Sequence, residues 1–418
     1  MSYTLGVVLF AVAILLSVAL HEAGHMLTAK RFGMKVTQYF VGFGPTLWSF
    51  RRGETEYGLK AIPAGGFCKI VGMTPLEESE EGATEKDEQR AFWRAPVRRR
   101  TVVLSAGSLT HFAVGLVVLY ICALTAGLPV DPDSQPAKID AVSSCVVTHY
   151  ETDAKGNLRP CRASDPAGPA RTAGLHQGDR IVAVGGKPTP TQHDALKVVR
   201  ATPAGPARFD IIRDGRRMAV TIDLVETQRP PLDGKDLSKR EKVSAIGVAF
   251  ARSVTRTYGP VAAIGQSATY AGRMFTGTFT ALGHFPSKIP NLINALSGKK
   301  RDAGGPISVV GASRVGGEAV STGGVAGAVT FLLMLAALNI FIGIFNLFPL
   351  LPLDGGHIAI IWYEKLRSWL ATRRGRPDPG RVDYAKLLPA TYLVIAIFGG
   401  ISLLTIAADI VNPIRLFP

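Results

Sequence analysis

The sequence predicts a polytopic α-helical membrane protein with four transmembrane helices, a membrane-associated β region and an extracytoplasmic α+β domain. Three observations predict it. Four stretches, Leu5 to Ala29, Thr101 to Gly127, Val325 to Leu350 and Leu387 to Ile410, are apolar over the roughly twenty residues a bilayer crossing takes. Of 418 residues, 47% are hydrophobic and only 19% charged, and mean hydropathy is positive. Between the second and third spans, glycine turns alternate with short aliphatic strands. The formal charge of +15 comes with no recognition fold or aromatic-basic platform, so no nucleic acid is expected as partner.

The basic residues are better read as orientation signals. Lys30, Arg31 and Lys35 follow the first span, Arg98 to Arg100 precede the second, and Lys365, Arg367, Arg373, Arg374 and Arg376 separate the third from the fourth. By the positive-inside rule these loops are cytoplasmic, which puts both termini and the long segment from about 128 to 324 outside. That segment is basic too, but long loops translocate largely regardless of charge. The expected order is a first span 1–29, a cytoplasmic loop 30–100 holding the β region, a second span 101–127 and an extracytoplasmic domain 128–250. Extracytoplasmic or interfacial helices 251–324, a third span 325–350, a cytoplasmic loop 351–386, a fourth span 387–410 and a tail 411–418 complete it. The first span lacks the basic n-region of a secretory signal and is read as a retained helix.

That span carries His21-Glu22-Ala23-Gly24-His25, the HExxH pattern. Residues four apart share a helix face, so both histidines can bind one metal while Glu22 projects towards a water beside it. Ionisable groups in an apolar span are costly and by default functional. With His25 six residues before Arg31, the metal would lie roughly 10 Å along the helix from the cytoplasmic edge. Catalytic zinc usually takes three protein ligands and leaves one position open. Asp354, in Asn346-Leu-Phe-Pro-Leu-Leu-Pro-Leu-Asp354-Gly-Gly-His357, is the natural third, because the topology brings the end of the third span to the same side and depth. Pro349 and Pro352 break the helix there, and broken backbone at membrane depth is tolerated only where it lines protein or water. Read alone, the same stretch could be an ordinary interfacial turn.

HEAGH in a first span with NLFPLLPLDGGH in a late one closely resembles the site-2 protease family of intramembrane zinc metalloproteases. The stretches Gly42 to Glu56, Ile62 to Phe67 and Gly72-Met73 look like that family's β region, Ala106-Gly107 opens its second-span motif, and Gly305-Pro306-Ile307 is similar to a further element. The nearest likeness is to actinobacterial members similar to the regulator-of-sigma-E protease, with one PDZ domain. The resemblance implies Zn2+ held by His21, His25 and Asp354, Glu22 as catalytic acid and base, and Asn346 as a polar active-site residue. Substrate contacts are expected at Gly65, Gly66, Phe67 and His111. One departure stands in the second span: Gly107-Ser108-Leu109-Thr110-His111 replaces Gly-Pro followed three residues later by Asn. His111 reads either as a hydrogen-bonded bundle residue, as a polar contact to substrate or active site, or as an extra metal contact.

The implied activity is endoproteolysis of single-span membrane proteins, the anti-sigma factor class, after an upstream site-1 protease has trimmed the ectodomain. Substrate helices must unwind before hydrolysis, since intrahelical hydrogen bonds occupy their carbonyls. The strands Leu47 to Phe50 and Tyr57 to Ile62, around Arg51-Arg52-Gly53-Glu54, are expected to offer a pairing edge. Ala173 to Gly186, a helix from Thr191 to Arg200, and strands at Ala207 to Ile212 and Met218 to Leu224 resemble a PDZ domain, either a peptide receptor or a size filter. Cys145 and Cys161, both outside, are expected to pair around an insertion holding Asp153 to Asn157, whereas Cys68 and Cys122 are not. Residues 259–283 and 289–296 read as surface or interfacial helices, since a fifth crossing would separate Asp354 from His21; Glu77 to Glu88 reads as a solvated loop. An inert PDZ-bearing adaptor and a transporter using intramembrane His and Asp are the competing classes; the first has no need of HExxH with LDG, and the second lacks paired broken-helix repeats.

Overall fold

The computed structural model describes residues 2–73, 85–130, 134–151, 158–232, 240–250, 255–298, 301 and 305–414. Most of the acidic run from Glu77 and the whole of Asp153 to Asn157 lie outside the described residues. The chain divides into two compact units, residues 1–127 with 257–417, and residues 128–256.

The first unit is helical apart from one β element. It contains α1 (Ser2–Arg31), β1 (Val36–Arg52), β2 (Thr55–Ile70), the short α2 (Glu85–Gln89) and α3 (Val97–Thr125). Among the described residues, four of its helices are long and apolar enough to cross a membrane: α1, α3, Gly324–Asn346 and the helical stretch Tyr384–Val411. Small residues set how closely they approach. A methyl on Gly24 of α1 would press on Thr110 and the Ala106 carbonyl of α3, so the two helices cross backbone to backbone there.

β1 and β2 form more than a hairpin. Arg52 faces Thr55 and Trp48 faces Leu59 across a turn at Gly53. The first part of β1 pairs twice more: Val36 faces Ile70 and Val41 faces Gly66 in one ladder, while Gln38 faces Glu56 and Val41 faces Leu59 in another. In this last ladder both numbers rise together, so it is parallel. The result is four short strands in the order 66–70, 36–41, 55–60, 46–52. The sheet is fastened to α1 by Tyr39, whose hydroxyl donates to the Ala19 carbonyl at 2.7 Å, and by Lys30, which donates to the Tyr57 hydroxyl at 2.7 Å. Leu47, Trp48 and Phe50 on the outermost strand are exposed.

The second unit is built on a sheet of β4 (Ala137–Val142), β5 (Arg180–Val184), β6 (Lys187–Pro188), β7 (Gly205–Arg213), β8 (Arg216–Arg229), β9 (Glu241–Ala245) and β10 (Val248–Phe250), with β3 (Leu128–Pro129) and β11 (Thr255–Arg256) paired separately. The sheet order is β10-β4-β5-β7-β8-β9, with β6 beside β5. Alternation places Phe209 and Ile211 of β7 and Ile222 and Leu224 of β8 in one core. Against it sit a short α4 (Pro169–Thr172) and α5 (Gln192–Ala201), the latter opened by a capping box between Thr191 and Asp194. Cys145 and Cys161 are disulfide-bonded, and Cys68 and Cys122 are in no disulfide among the described residues. Buried Asp179 accepts two bonds of 2.7 Å from Arg213.

The chain returns to the first unit through α6 (Pro260–Leu296), α7 (Val309–Thr322), α8 (Gly324–Asn346), α9 (Asp354–Arg373) and α10 (Leu388–Val411). The stretches expected as two helices between 259 and 296 are one, with Pro286 and Pro290 inside it. α6 packs through Phe275 on Phe112 of α3 and through Phe279 on Phe348. The expected loop after Asp354 is largely the helix α9, because Leu366, Trp369 and Leu370 continue a helical period that the charged residues between them obscure. Arg301 and Asp409 form a buried ion pair at 2.6 Å, and Asp409 also accepts from the Ser308 amide, tying the Gly305-Pro306-Ile307 turn to α10.

Candidate metal centre and active site

One helical turn separates His21 from His25, and both rings face inwards, 8% and 6% exposed. Val103 of α3 fixes the second ring. His25 Nδ1 lies 2.8 Å from its carbonyl oxygen, which can only accept, so Nδ1 carries the proton and Nε2 is left with its lone pair. That nitrogen is 3.1 Å from His21 Nε2. At that distance the two nitrogens either share a proton or face one common cation. Asp354 adds a carboxylate, its Oδ2 being 3.6 Å from His21 Nε2 and 3.4 Å from His25 Nε2. These ligand atoms all lie within 4.8 Å of one another.

The approach of Asp354 depends on the two glycines behind it. Asp354 opens α9, and a methyl on Gly355 would collide with the Leu347 backbone. Only a glycine lets the chain leaving α8 fold back over the start of α9 this tightly. α9 is in turn held to α3 by Arg100 and Glu364, 3.7 Å apart, and Glu364 also accepts from the Val382 amide at 2.8 Å. On the other side, a methyl on Gly107 would fall on both histidine rings, so the α3 backbone itself forms a wall of the centre.

The donor set passes a simple test of fit. Asp354 Oδ2 is buried and accepts no hydrogen bond of good geometry, and buried His21 Nδ1 has only the Gly107 backbone beside it as a weak partner. An anionic oxygen in that state is costly unless a cation meets it. Two imidazole nitrogens and one carboxylate oxygen are ligands zinc favours, with a fourth position left for water or substrate. Glu22 stands beside this cluster and next to the sheet. Its carboxylate is bonded by the Cys68 backbone, and a methyl on Gly66 would sit 3.0 Å from its Cγ. Strand 66–70 therefore runs past Glu22. Phe67 stacks on Phe40 and Phe43, and Gly65, at φ 143°, backs onto Phe43, so these two shape the sheet rather than reach the histidines.

The remaining expected residues fall in two places. Asn346 ends α8, partly buried, and makes no hydrogen bond among the described residues. His111 is buried beside His21, ring centroids 5.0 Å apart, and its Nδ1 is 2.9 Å from Asn339 Oδ1. Sequence reasoning missed Asn339 and Val103. Asn339 was signalled by being, with Asn346, one of two amides in an apolar span; a backbone carbonyl such as that of Val103 leaves no signal in residue types.

Residues 9–386 match the family model described as Peptidase family M50. The chain is 43% identical over 420 residues to "Zinc metalloprotease Rip1" of Mycobacterium tuberculosis (strain ATCC 25618 / H37Rv), covering all of both chains. It is equally similar, 43% over 422 residues and all of both chains, to "Zinc metalloprotease Rip1" of Mycolicibacterium smegmatis.

Proposed function

This chain belongs to peptidase family M50, the site-2 protease family, and is an integral-membrane zinc metalloprotease; on that premise we propose that it cuts single-span membrane proteins within or near their transmembrane segment. His21, His25 and Asp354 hold the zinc, and the observation that carries this is the clustering of their ligand atoms beside Glu22. Zinc held there supplies Lewis acidity, polarising the scissile carbonyl and making water a competent nucleophile near neutral pH. Glu22 accepts the water proton and returns it to the leaving amine, a role worth about 10²- to 10⁴-fold in rate.

The strand 66–70 beside Glu22 presents substrate. A helix in lipid must give up intrahelical bonds before its carbonyl reaches the zinc, and an extended segment paired along this strand regains them. Among the described residues strand 66–70 pairs only with β1. The active site lies near the cytoplasmic face, by the basic loops at 30–35, 98–100 and 365–376. The 128–256 unit is a PDZ-like domain on the outer side that excludes substrates with intact ectodomains. Anti-sigma factors, first trimmed by a site-1 protease, are the substrate class that the family resemblance favours.

The test is cleavage of a tagged, ectodomain-trimmed single-span substrate by wild type and E22Q, with zinc quantified in both. Stoichiometric zinc in both and product from wild type alone is the expected result. Zinc-free, folded wild type would overturn the ligand assignment; zinc in both, with no cleavage across a substrate panel, would overturn the substrate assignment. Proline replacements along Gly66–Ile70 should lower turnover and leave zinc in place, and unchanged turnover would remove the strand from the mechanism.

A further inference from the structure

His111 on α3 and Asn339 on α8 are a buried polar pair that the chemistry above does not use. Each is 1% exposed. The second amide atom settles the direction of their bond. Asn339 Nδ2 donates to the Leu335 carbonyl at 2.9 Å, so Oδ1 is the acceptor and His111 Nδ1 the donor, at 2.9 Å. The imidazole is thereby pinned in one tautomer and one orientation. Its ring rests on His21 with centroids 5.0 Å apart and planes 43° apart.

His21 is the ring in need of such support. A metal-binding histidine ordinarily fixes its far nitrogen on an acceptor, as His25 does on the Val103 carbonyl at 2.8 Å. His21 Nδ1 is buried and has no acceptor at good hydrogen-bond geometry; the Gly107 backbone beside it is its one weak partner among the described residues. Away from His25 and Asp354, its ring lies against the Gly107 backbone and the His111 ring. The helices carrying the pair are also closely packed: a methyl on Gly343 of α8 would meet Phe112 and, at 3.1 Å, the Ser108 carbonyl.

We propose that His111 and Asn339 are positioning residues for His21: Asn339 holds the His111 ring, and that ring sets the plane in which His21 presents Nε2. This rests on the zinc-site reading given above. It makes α8, which carries neither histidine ligand, a determinant of metal affinity. A polar bond that merely joins two helices would affect folding alone.

The experiment uses the full chain in lipid nanodiscs, as wild type, N339L, N339S, N339D and H111N. Zinc stoichiometry, the rate of zinc loss to a chelator, the absorption spectrum of the cobalt-substituted protein and KM are read for each. N339L and N339S should lose zinc roughly 10- to 100-fold faster, as removal of an outer partner does elsewhere, with an altered cobalt spectrum. N339D should return towards wild type, because protonated aspartic acid can accept from His111 and donate to Leu335 as the amide does. N339S keeps the test alive should N339L fail to fold. Zinc loss and cobalt spectra unchanged in folded variants, with only the melting point lowered, would overturn the proposal. So would H111N raising KM alone, which would make His111 a substrate contact. If H21A held zinc as tightly as wild type, the zinc-site reading itself would fail, a result separate from either.

Discussion

Gly107 is the most exacting position in the centre. Any side chain there occupies space already filled by the His21 and His25 rings. G107A should therefore reduce bound zinc to well below one equivalent and abolish proteolysis in a protein that still inserts, checked by metal analysis of the purified variant. A variant with full zinc would mean that α3 can retreat, which its close crossing with α1 at Gly24 opposes. The pairing of His21 and His25 on one helix face beside Glu22 was legible in the sequence because a fixed i, i+4 spacing needs no tertiary information. Asp354 was legible only through topology, as a residue at the right depth and side. The function of Gly107 was not, since glycine in a span is common and its purpose appears only when two rings are found against it. His111 stands where the sequence left three readings; the structure gives it a hydrogen-bond partner and a place beside His21.

At the scale of elements, the sheet of the 128–256 unit depends on Asp179, at the turn into β5. Burial pushes its carboxyl up, but the Arg213 guanidinium and the His176 amide bonding to it bring the net position below the usual carboxylate range. A carboxyl depressed on folding adds stability above its ordinary value, and that stability is lost as pH falls through the folded value. The unit's thermal midpoint should thus hold from pH 7 to 5 on this account and drop below about pH 4. D179N should cost about 1.5–3 kcal/mol at pH 7, the range for hydrogen bonds to charged groups, and flatten the acid limb. Calorimetry across that range is the check. The strands and helix of this unit followed from glycine turns and alternation, and Thr191 opens α5 as its sequence suggests. The three-ladder β element was less legible. Local pattern gives the hairpin around Gly53, but pairing of 36–41 with both 55–60 and 66–70 is long-range and leaves no periodic trace. The continuation of α9 beyond Asp354 was hidden by its charged residues.

For the whole molecule, the feature with the widest consequence is the way residues 128–256 are spliced in. β3 pairs with β11, Pro129 opposite Thr255 and Leu128 opposite Arg256, so the chain enters and leaves the unit on adjacent strands, about 5 Å apart. Residues 130–254 should be replaceable by a short glycine-serine turn with zinc content unchanged. On the filter reading, that variant should cut substrates whose ectodomains are intact, and a gel of untrimmed substrate would reveal it; continued refusal would place selection elsewhere. An insertion whose two ends meet on adjacent strands can be cut out or exchanged at one place in the chain. On the filter reading, such an exchange would change which substrates are admitted and leave His21, His25 and Asp354 where they are.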